Sequence, residues 1–68
     1  MEQFKLIQIL NKNPLLCEIV QKLQVLRNEG LNNSEIEEVI KKMNLPLNEH
    51  LFIFGNFSNL MGVRFQNL

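Results

Sequence analysis

The stretch from Asn13 to Leu31 leaves this chain little choice of fold. Asn is a favoured helix cap. Pro14 suits the first helical position, where its missing N–H would go unpaired anyway. Leu15, Leu16, Ile19, Val20, Leu23 and Leu26 then recur at helical spacing as one stripe, and Glu18, Gln21, Lys22, Gln24 and Arg27 take the other side. Gly30 is a natural left-handed stop, with Leu31 placed to fold back onto the last turn. A helix over residues 14–28 with a continuous apolar stripe is stable only if other elements cover it.

Two neighbours offer themselves. Residues 2–12 read as a helix in which Phe4, Ile7 and Leu10 keep helical spacing, and Leu6 and Ile9 widen the apolar arc. That arc is broad for so short a helix. We expect part of it to face the core and Phe4, Leu6, Ile7, Ile9 and Leu10 to form a dimer interface. After Gly30, Asn32-x-x-Glu35 fits a capping box, with Leu31 and Ile36 as its hydrophobic staple. Ser34-x-x-Glu37 is a rival box two residues later. Ile36, Val39, Ile40 and Met43 sit at i, i+3, i+4 and i+7, and Glu before Lys along the segment complements the helix dipole. Pro46 forces a stop near Asn44.

The tail changes character. Four of the five Phe lie here, as Phe52, Phe54, Phe57 and Phe65, and Arg64 is the sole charged side chain after Leu51. Asn48 fits the cap of a short helix through Phe54 that ends at Gly55. Leu51–Phe54 as a strand, 55–59 as a turn and Leu60–Phe65 as a second strand is the competing reading. The short helix followed by one extended segment is favoured. The fold class expected is mainly α: a single compact domain over residues 1–68 with three to four helices, helix-turn-helix-like over 13–65, and a short extended or hairpin C-terminal segment.

Asn13-Pro14-Leu15, Ile19 to Leu23, Gly30-Leu31, Ser34-Glu35-Ile36, His50-Leu51 and the run Leu60 to Phe65 together resemble the winged-helix/helix-turn-helix superfamily of small prokaryotic regulators. The resemblance implies that residues 47–57 occupy the recognition-helix position and that 60–65 start a wing. The sequence departs from that pattern. The turn before Leu47 lacks small residues and contains Pro46, and no length remains after Leu68 for a return strand. The recognition segment Leu47–Phe54 has no Arg or Lys, and its Glu49 would meet phosphates unfavourably.

Composition narrows the function. Seven Lys and Arg balance seven Glu over 68 residues, so no net charge draws the chain to nucleic acid or an anionic membrane. There is no Asp, Thr, Ala, Trp or Tyr, while ten Asn read as genome drift without functional weight. A catalytic site is not expected: no triad carboxylate of the Asp type exists, and Cys17 and His50, each the only one of its kind, show no signature of a nucleophilic pair. They also leave Glu to supply every other metal ligand, so no metal or cofactor is expected. Cys17 reads as a small core residue, and a lone Cys without a leader-like N-terminus points to the cytoplasm. No apolar run is long enough to span a membrane.

What remains is binding. With 46% of the residues apolar in so small a domain, some apolar groups must stay exposed. One apolar face per helix leaves over Val25, Leu45, Leu47, Phe57 and an arc of the first helix. The expected function is a small non-enzymatic regulatory or adaptor module that docks on a protein, forms a homodimer and suits a phage or other mobile element. Glu35, Glu37, Glu38, Phe52 and Phe57 are the expected partner surface. A DNA-binding winged-helix regulator is the alternative.

Overall fold

The computed structural model describes residues 3–65 and is all-helical over them, with α1 Gln3–Lys12, α2 Pro14–Asn28, α3 Asn33–Lys42, α4 Leu47–Gly55 and α5 Phe57–Met61. The outer ends expected of the domain and of its first helix, Glu2 included, lie outside the described residues. The protein is thus mainly α, with five helices where three to four were expected.

Local chemistry sets the first borders. The Asn13 side chain accepts the Leu16 N–H at 3.2 Å, and Pro14 opens α2. At the other end the Leu31 N–H reaches the Leu26 carbonyl at 3.2 Å and the Gly30 N–H reaches Arg27 at 3.1 Å. Those are the two bonds of a Schellman stop, and Gly30 supplies the left-handed residue at φ 106°. The Asn32 box wins over its Ser34 rival: Asn32 Oδ1 accepts from the Glu35 N–H at 2.9 Å, and Glu35 Oε1 accepts from the Asn32 N–H at 3.0 Å. After α3 the chain turns through Asn44 at φ 54°, a left-handed position that Asn tolerates better than most side chains.

The C-terminal third departs from expectation. Asn48 does not cap α4. Pro46 precedes it without a side-chain bond, and Leu47 is its first residue. The helix expected through the recognition position breaks at Asn56, whose N–H and side-chain amide both donate to the Phe52 carbonyl, at 3.1 and 3.0 Å. Phe57 therefore opens a new helix. The run from Leu60, read as extended, begins inside α5, and no residue among those described is in a strand. A distant side chain holds this end of the helix. The Gln24 amide, projecting from α2, donates to the carbonyls of Leu60 and Val63 at 2.8 and 2.9 Å. It adds a donor to two carbonyls at the C-terminal end of α5.

The core is assembled around α2. Leu16, Ile19, Val20 and Leu23 are buried on it, and α1, α3 and α5 pack against it. Leu6 and Leu10 come from α1, Ile36 and Ile40 from α3, Ile53 from α4, Leu60 from α5 and Val63 from the segment after it. Leu15 falls outside the stripe in which it was counted and stays exposed. The ion pairs Glu18–Lys22 at 3.5 Å and Glu38–Lys41 at 3.6 Å lie on the solvent side, where such pairs add little.

Gln24 is the test of this architecture. Replacing Gln24 by Ala removes a donor from two partly buried carbonyls and leaves Leu60 with the Val63 N–H at 3.3 Å, so stability should fall by ~1–3 kcal/mol. Denaturant unfolding checks it, with Gln21→Ala on the same helix as a control near zero.

Candidate functional site

The residues expected as a dimer surface on the first helix do not share one exposed face. Leu6 and Leu10 are fully buried in the core, and Ile7 and Ile9 pack along its edge. Leu6 and Leu10 are four apart and point the same way, towards α2 and α5, so the broad arc is used up within the chain. Phe4 alone stays out, 66% exposed.

The expected partner surface divides as well. Phe52 and Phe57 are half-buried against the core rather than free. Glu35 is engaged in the α3 box and Glu38 is paired with Lys41. Glu37 is exposed but lies about 160° round the helix from Glu35, at 100° per residue. The three carboxylates therefore make no single acidic face.

The other chemistry-bearing residues are accounted for by local contacts. Cys17 is half-buried, and the Gln21 amide nitrogen lies 3.8 Å from its sulfur. The His50 ring packs on Phe54 with centroids 4.5 Å apart, tilted by 40°. Among the described residues no group of three or more His, Cys or Glu gathers as a metal site would need. One open depression is lined by Arg27, Gly30, Leu31 and Asn32–Ser34. There Arg27 Nη1 donates to Asn33 Oδ1 at 2.6 Å. A second lies between Lys5 and Lys12 on α1.

A different surface is left unpartnered. On α4 only Ile53 is fully buried, while Leu47 is 70% and Leu51 58% exposed. They are four residues apart, one turn above the other on the same face. Phe54, half-buried, borders that face on one side, and Asn48 and Gly55, both exposed, on the other. The helix carries one charge, Glu49, which points away from the leucines. Phe4, Leu15 and Val25 are exposed too, but none has a second exposed apolar side chain a turn away on its own helix. Single exposed apolar groups are ordinary, and a stacked pair is the more informative case. The surplus at Leu47 was legible in the sequence. Leu51 joins it only once the segment is known to be helical, since i and i+4 then share a face.

No known family model, curated protein or solved structure matches the chain.

If Leu47 and Leu51 serve the surface and not the core, Leu47→Ser and Leu51→Ser should each change stability by no more than ~0.5 kcal/mol. Ile53→Ala on the same helix should lose ~2–5 kcal/mol. Thermal melting of the three variants separates the two roles.

Proposed function

We propose that this protein is a small non-enzymatic docking module, of the kind that regulates another protein by binding it, with the exposed face of α4 as its contact surface. The observation that carries the reading is the pair Leu47 and Leu51, both more than half exposed, on a helix without Lys or Arg. Burying such a pair against a partner removes apolar area from water at ~25 cal/mol per Å². Aliphatic residues stacked at i and i+4 are a common anchor pattern for helix-mediated recognition. A regulator or inhibitor carried by a phage or similar mobile element suits so small a module.

A DNA-binding helix-turn-helix protein is the second reading. One feature favours it: α3 and α4 are joined by the four-residue turn 43–46 with a left-handed residue at Asn44, and such short turns join the paired helices of that motif. The charge pattern weighs against it. The helix that would enter the major groove exposes two leucines, and the chain as a whole has no net positive charge. Phosphate neutralisation supplies most non-specific affinity for DNA.

A photo-crosslinking amino acid placed at position 51, and at Glu37 as a control, tests the choice in cells that express the protein. Protease-sensitive adducts from position 51 and none from 37 are expected. Nuclease-sensitive adducts from position 51 would replace this reading with the DNA-binding one. In solution, titration of mixed-sequence duplex DNA at low salt should give no saturable binding. A DNA-binding domain would instead show an affinity that falls by orders of magnitude as salt rises.

A further inference from the structure

We draw no further inference here: the strongest candidate, the exposed apolar face of α4 at Leu47 and Leu51, belongs to the site already described, and nothing in the structure shows what covers it.

Discussion

One helix can present only one buried stripe, and in this protein nearly everything competes for it. The stripe of α2, centred on Val20 and Leu23, receives α1, α3 and α5. Those three approaches use it up. The fourth helix is left to pack chiefly on α5 and to send a single fully buried residue, Ile53, into the shared core. A domain of about this size buries roughly 60% of the surface of its unfolded chain. Of the five large apolar residues left exposed, Leu47 and Leu51 sit together on that fourth helix.

That accounting gives the α4 face a physical origin. Its leucines are exposed because the core has no room for them, and the cost of leaving them in water falls when a partner covers them. The outward surface of that helix offers apolar area and no Lys or Arg. The half-buried aromatics Phe52, Phe54 and Phe57 pack against the core.

The sequence exposed most where the signals are local. Asn13-Pro14, the stop at Gly30 and the box from Asn32 to Glu35 each act within a few residues, and α2 and α3 lie where those signals place them. The tail was harder to read, because its end is held in part by Gln24, more than thirty residues earlier in the chain. The pattern of Leu60 to Phe65 alone fits an extended segment, and no local cue announces a distant amide donor. The first helix raised a different difficulty. Periodicity shows that an arc is apolar, and it does not show whether one neighbour or two will cover it. Here α2 and α5 together cover Leu6 and Leu10. For the candidate site the apolar surplus was visible and its address was not, since exposure is decided by which helices reach α2.

The asparagines, which composition alone dismisses, hold several of these borders. Asn13 and Asn32 cap helices, Asn44 makes the left-handed turn and Asn56 joins α4 to α5. In many proteins Asp serves at such caps, and this chain contains none. A carboxylate cap weakens when acid protonates it, whereas a carboxamide has no proton to gain over that range. At these four joints only the reciprocal bond from Glu35 involves a titratable side chain. The junctions between helices are thus built mostly from groups indifferent to acidity, and most of these bonds hold whatever the pH.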